Sequence, residues 1–434
     1  MRQKTKRLKH LFVFILVITF ISISCKNTAS TVPSGYQGQG ANPIVSTKTK
    51  PIQRQWKGTW SFQDSIVFFD NQFQGARLNG VAYDGDNHYT LLITAENTPI
   101  NPSPWYAFKV WANKPQEVVL QLTYQNSRSR YYPKISKDGL HFNALDSTQF
   151  KPIGLGEGAY GLAAAPEAVE ITLQLDQQPT WISAQELYAS PRITQWVDSL
   201  AQRPFISKSI IGKSREGRDL EMLEIKAEET EQALIVISRQ HPPEVSGFLA
   251  MKTFVETLAG DSELAKTFRK QFTVYNMPLV NPDGVDNGHW RHNMGGIDLN
   301  RDWEAFEQPE TRAIRDFLKR KTSNGQQFVF GVDFHSTWDD IYYPLDSTIT
   351  GPKGLPVFDW INRINTRLPS KKTNTIASKK LYPTMVSRNH FFAVYKMPAL
   401  VFELGDHTPR PFLKKKGRVA AETLMQLLLE GETD

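Results

Sequence analysis

Residues 233–260 read ALIVISRQHPPEVSGFLAMKTFVETLAG, and the stretch changes character halfway along. Ala233 to Ser238 is a near-continuous apolar run, the pattern of a strand covered on both faces. From Ser246 onward the sequence reads as a helix. Between them stands His241-Pro242-Pro243-Glu244, where two prolines forbid helix and press the preceding residue towards extended backbone. The unit is therefore strand, stiff turn, helix. Further strands are expected in EMLEIK (221–226), FTVYNMPLV (272–280), QQFVFGVDFH (326–335) and PALVFELG (398–405). Helices are expected from Ser190-Pro191 and over ETRAIRDFLKRKT (310–322). Apolar strands alternating with helices imply an α/β fold, an open sheet with helices on both faces.

Ligands of an open α/β sheet bind beyond the carboxyl ends of its strands. Three such ends carry polar chemistry: His241 and Glu244 after the first strand, His335 after the second, Glu403 in the third. Two histidines and one carboxylate, with a position left for water, are the composition of a catalytic zinc site. The prolines then have a purpose: a rigid turn holds His241 and Glu244 so that both reach one ion. The loop VNPDGVDNGHWRHNMGGIDLNRDW (280–303) adds Arg291, Asp298, Asn300 and Arg301 on Gly-rich turns. Guanidinium groups there suit an oxyanion or a carboxylate.

Upstream the grammar differs. Runs such as SIVFF, HYTLLITA, YAFKVWA, EVVLQLTY and AVEITLQL are separated by Gly, Pro, Asn and Asp turns, so residues 56–185 are expected to form an antiparallel β-sandwich. No metal-ligand spacing occurs in it, and a packing or accessory role is the expectation. Residues 25–55, rich in Ser, Thr, Gly, Gln and Pro, read as a flexible tether. Residues 1–24 combine a basic start with an apolar run and end before Cys25, the only cysteine of the 434 residues. That arrangement resembles a bacterial lipoprotein signal, implying lipid on Cys25, membrane attachment and a place on the cell envelope. The net charge of +7 comes mostly from this leader: without its five basic residues, 46 basic residues face 44 acidic ones. Such a balance gives no argument for a nucleic-acid partner.

Taken together, HPPE, NPDGV, WRHN, DLNRDW, a strand-end histidine and FELGDHTPR resemble the zinc carboxypeptidases of the M14 type over residues 190–430. The β-rich region resembles the N-terminal domain of their cytosolic-carboxypeptidase-like branch. The resemblance implies a mixed sheet, peptide substrates and one zinc ion held by His241, Glu244 and His335. It implies Glu403 as general base, Arg291 as the oxyanion donor, and Asn300 and Arg301 as a clamp on the substrate's terminal carboxylate. It further implies Asp298 orienting His241, Tyr382 closing over the substrate, and Arg388 at the base of the specificity pocket, where a basic residue would favour acidic terminal side chains. An N-acyl amino acid deacylase, a cell-wall peptide hydrolase and an inactive binding lipoprotein are the alternatives.

Overall fold

The computed structural model describes residues 52–63, 66–98, 101–154 and 165–431. The leader, Cys25 and nearly all of the tether lie outside the described residues. Among the described residues, no helix is long and apolar enough to cross a membrane.

The first half of the described chain is strands: β1 Thr59–Phe62, β2 Val67–Asp70, β3 Gly80–Gly85, β4 His88–Ile93, β5 Ala107–Ala112, β6 Gln116–Tyr124, β7 Lys134–Ser136, β8 Asn143–Ala144, β9 Phe150–Ile153, β10 Ala168–Leu175 and β11 Thr180–Ser183. They form a six-stranded sheet, β1-β2-β5-β11-β7-β8, and a five-stranded sheet, β3-β4-β6-β10-β9. Alternation along the strands puts Phe69, Phe108, Val110 and Ile182 of the first sheet into one apolar cluster with Tyr89, Leu91, Leu120, Val169 and Ile171 of the second. This is a sandwich, but not the wholly antiparallel one expected from the sequence, because β4 and β6 pair in parallel. The reason is the route of the chain. It leaves β4, crosses to the other sheet as β5, and returns as β6 in its original direction.

The second half carries an eight-stranded sheet. Its strands are β12 Ile206–Lys213, β13 Asp219–Ile225, β14 Gln232–Ser238, β15 Phe272–Met277, β16 Gln327–Thr337, β17 Ile341–Pro344, β18 Asn374–Thr375 and β19 Ala399–Gly405, in the order β12-β13-β15-β14-β16-β19-β17-β18. The central β15, β14, β16 and β19 are parallel, while β13 meets β15 and β17 meets β19 antiparallel. The sheet is therefore mixed and open. One face is covered by the helices Val245–Leu258, Leu355–Arg367 and Arg410–Glu430, whose apolar residues join Leu234, Val236, Val332, Phe334, Leu400 and Phe402. The other packs Ile314, Phe317 and Leu318 of the helix Pro309–Ser323 against Ala233, Ile235 and Ile237.

Period two decides what lies at the strand ends. Val332 and Phe334 of β16 and Phe402 of β19 point into the first core, so Asp333, His335 and Glu403 point to the opposite face. His335 and Glu403 are direct neighbours across the parallel pair. Gly247 lets the helix Val245–Leu258 start against this spot: a Cβ there would lie 2.3 Å from the His335 carbonyl oxygen.

Candidate metal centre

Leaving β14, the chain turns at Arg239, whose φ of +57° lies in the left-handed region. His241 follows, and Glu244 takes the N-cap position of the helix Val245–Leu258 without capping it. Its carboxylate is used elsewhere. Glu244 Oε1 lies 2.7 Å from His241 Nδ1, and Oε2 lies 2.7 Å from Nδ1 of His335. The two Nδ1 atoms are 3.2 Å apart, and the three side chains converge to within 4.8 Å while fully buried.

Each imidazole turns its other nitrogen to a carboxylate. His241 Nε2 meets Asp298 Oδ1 at 2.9 Å, and Asp298 also pairs with Arg291 at 2.6 Å. His335 Nε2 meets Asp333 Oδ2 at 2.9 Å. The sequence reading passed over Asp333, although it stands two residues before His335 and so shares its strand face. Gln240 Nε2 and Ser387 Oγ both donate to the same Asp333 oxygen. Such outer partners fix the ring and its tautomer and raise its basicity towards a metal. An Asp333→Asn protein should bind zinc roughly 10–100-fold more weakly, measured by competition with a chromophoric chelator. Unchanged affinity would remove Asp333 from this role.

The electrostatics favour a cation. Burial alone would depress the His241 imidazole, yet the Glu244 and Asp298 carboxylates overcome it and push its pKa up to about 9. Burial likewise opposes charge on His335, and Asp333 and Glu244 drive it well above its ordinary value. A site that draws protons onto two buried rings is built around positive charge, which a dication supplies more fully. Glu403 completes the group. It is wholly buried, neither carboxylate oxygen has a hydrogen-bond partner among the described residues, and burial followed by repulsion from Glu244 pushes its pKa up to about 8. The donor set thus fits one zinc ion.

The remaining expected residues gather around it to different degrees. Asn300 is buried, with Nδ2 3.4 Å from His335 Nε2 and Oδ1 accepting from the Ser387 amide at the start of the helix Ser387–Tyr395. Arg301 is buried, donates to the Asn300 carbonyl oxygen, and feels the charges of Asp298 and Glu403. Arg388 is buried too; it donates to the Tyr343 carbonyl oxygen at 2.7 Å and to Asn389 Oδ1 at 3.2 Å. Burial and then the nearby Arg301 charge pull its pKa down to about 10. Tyr382 is 67 % exposed, outside the buried group, on a loop whose carbonyls at Lys380, Leu381 and Pro383 accept from Asn389. The Tyr343 hydroxyl, which the sequence did not single out, is buried with no hydrogen-bond partner among the described residues and feels the charges of Glu403 and Arg388.

Two histidines and one carboxylate converging on one point have the ligand composition of a catalytic zinc site. The family model described as zinc carboxypeptidase, peptidase M14, matches residues 193–415, more than half of the chain. The chain belongs to that family of metallocarboxypeptidases, and among the described residues His241, Glu244 and His335 form a group able to hold its single zinc ion. An uncharacterized protein of Zymomonas mobilis is 23% identical over 299 residues, covering 66% of this chain and 71% of that one. Mouse cytosolic carboxypeptidase 4 is 36% identical over 104 residues, which cover 23% of this chain and 9% of the mouse protein. Cytosolic carboxypeptidase 6 of Caenorhabditis elegans is 27% identical over 160 residues, covering 34% of this chain and 35% of the worm protein. This chain therefore spans only a minor part of those cytosolic enzymes. Among solved structures, a metallo-carboxypeptidase from Burkholderia cenocepacia superposes with a TM-score of 0.67 at 18% identity, covering 85% of this chain and 99% of its own. One from Pseudomonas aeruginosa, in complex with (2-guanidinoethylmercapto)succinic acid, gives 0.65 at 20% identity, covering 83% and 99%.

Proposed function

We propose that this chain removes single residues from the carboxyl terminus of peptides and favours acidic terminal side chains. The observation that carries the reading is Glu403, a buried carboxylate with no hydrogen-bond partner among the described residues, next in register to His335 of the candidate zinc site. Leaving such a group unpaired is costly to a fold, and proteins tolerate that where the group must exchange protons. Glu403 takes a proton from the attacking water and delivers it to the departing amine. Bound zinc would supply Lewis acidity, making water acidic enough to be deprotonated near neutral pH. Arg291 donates to the oxyanion that forms on the scissile carbonyl. Asn300 and Arg301 hold the terminal carboxylate.

The acidic preference is supported by Arg388. Among the described residues it forms no ion pair, and the charge that acts on it most strongly is another guanidinium, Arg301. A buried guanidinium of this kind suits a carboxylate on the substrate's last side chain, beside the terminal carboxylate assigned to Asn300 and Arg301. The test is kcat/KM across peptides that differ only in the last residue, each as free acid and as amide. Peptides ending in Glu or Asp should be cut fastest and the amides not at all. Arg388→Ala should lose roughly 10–100-fold on the Glu-ending peptide, the worth of a charged hydrogen bond, with little change on a Leu-ending one. An equal loss on both would remove Arg388 from selection, and cleavage of the amides would remove the terminal clamp.

A further inference from the structure

The loop that carries Arg291 is held by residues of the β-sandwich. It runs beside the sandwich so closely that a Cβ on Gly288, which has φ +62°, would lie 2.4 Å from the Ala76 carbonyl oxygen. Two buried side chains of the sandwich grip it with opposite charges. Arg77 donates through Nε to the Gly288 carbonyl oxygen at 2.8 Å and through Nη2 to that of Asn287 at 3.2 Å. Glu96, just past β4, accepts from three successive backbone amides. Oε2 receives Trp290 at 2.9 Å, while Oε1 receives Arg291 at 3.0 Å and His292 at 2.8 Å. Asn101 also donates to Oε1, at 3.1 Å, and Asn97 Oδ1 lies 3.0 Å from Nδ1 of His292.

Three consecutive N–H groups converging on one carboxylate form a concave anion site in the backbone, here filled by the protein itself. Bonds from amides to an ionised acceptor are the stronger kind, and this one is wholly buried. The clamped residue in the middle is Arg291. Its Cα position is therefore set by Glu96, and its guanidinium by Asp298, whose other oxygen holds His241. One chain of contacts joins the sandwich to a zinc ligand through the residue assigned to the oxyanion.

We propose that Glu96 is a positioning residue for Arg291, which makes the β-sandwich part of the catalytic unit. The proposal rests on reading Arg291 as the oxyanion donor. A preorganised donor acts only if it stands where charge develops, and an error of about 1 Å costs on the order of a hundredfold.

The experiment uses the full-length, zinc-loaded protein and compares Glu96→Gln, Arg291→Ala and the double variant with the parent. Kinetics on a Glu-ending peptide are read together with zinc content and amide hydrogen exchange over residues 287–296. In Glu96→Gln one acceptor becomes an amide NH2 that cannot receive an N–H. We expect kcat to fall about 10–100-fold with KM nearly unchanged and one zinc retained, and exchange to quicken at residues 290–292. We expect the double variant to be no slower than Arg291→Ala alone. Losses that multiply in the double variant, or a folded Glu96→Gln with parental kcat, would overturn the proposal. Should Glu96→Gln not fold, Glu96→Asp, which keeps the charge and shortens its reach, serves the same comparison. If the parent itself cleaves no peptide, the proposed function fails instead, and exchange at residues 290–292 unchanged by the substitution would overturn the clamp separately.

Discussion

A Glu403→Gln protein is expected to bind one zinc ion as the parent does and to hydrolyse peptides about 10²–10⁴-fold more slowly, the worth of a general acid–base group. The substitution keeps the shape of a side chain with no exposure and, among the described residues, no hydrogen-bond partner to lose. It also replaces a carboxyl whose charge is disfavoured by burial first and by Glu244 second with a neutral group, so the fold should stay about level. The loss should fall on kcat, because the group acts on the proton and not on the peptide's binding. Stopped assays with zinc content measured on the same samples decide the matter. Parental kcat in a zinc-loaded Glu403→Gln protein would exclude Glu403 as the proton carrier.

His335→Ala should do more, since it removes a ligand and not a proton carrier. Its affinity for zinc should fall well beyond the roughly 10–100-fold expected when an outer partner such as Asp333 is lost. The consequence also reaches stability. Zinc bound to the folded chain alone raises the unfolding free energy by about 4 kcal/mol when present at a thousand times its dissociation constant. The parent's melting temperature should therefore rise on adding micromolar zinc and fall on chelation, while that of His335→Ala should respond to neither. Glu244 would be left facing one imidazole in place of two, with His335 no longer lowering its pKa. A variant that still melts higher with zinc, and still cuts peptides, would show that His335 is not a ligand.

The residues at strand ends were legible because the strands themselves were. Continuous apolar runs give β14, β16 and β19, and the topology of a parallel sheet brings their carboxyl ends to one edge. His241, Glu244, His335 and Glu403 follow from that alone. Asp333 takes one more step, the strand's period of two, which puts it on the same face as His335. Tyr343 was out of reach, since β17 is four residues long and its place beside β19 is settled by pairing between distant parts of the chain. The sandwich shows the same boundary. Its strands alternate plainly, yet the parallel pairing of β4 with β6 depends on a crossing to the second sheet that no local pattern encodes. Glu96 and Arg77 lie outside regular strands with no metal-ligand spacing, and their partners are about two hundred residues away. A region that reads as accessory in the sequence thus holds the loop of Arg291.

The most direct measurement takes the full-length protein, loaded with zinc, and one peptide ending in a single glutamate with a free carboxylate, followed by mass spectrometry with and without a chelator. Loss of the one terminal residue, abolished by the chelator and restored by zinc, is the predicted result. An intact peptide in the presence of one bound zinc ion per chain, or cleavage that continues undiminished under chelation, would contradict the account.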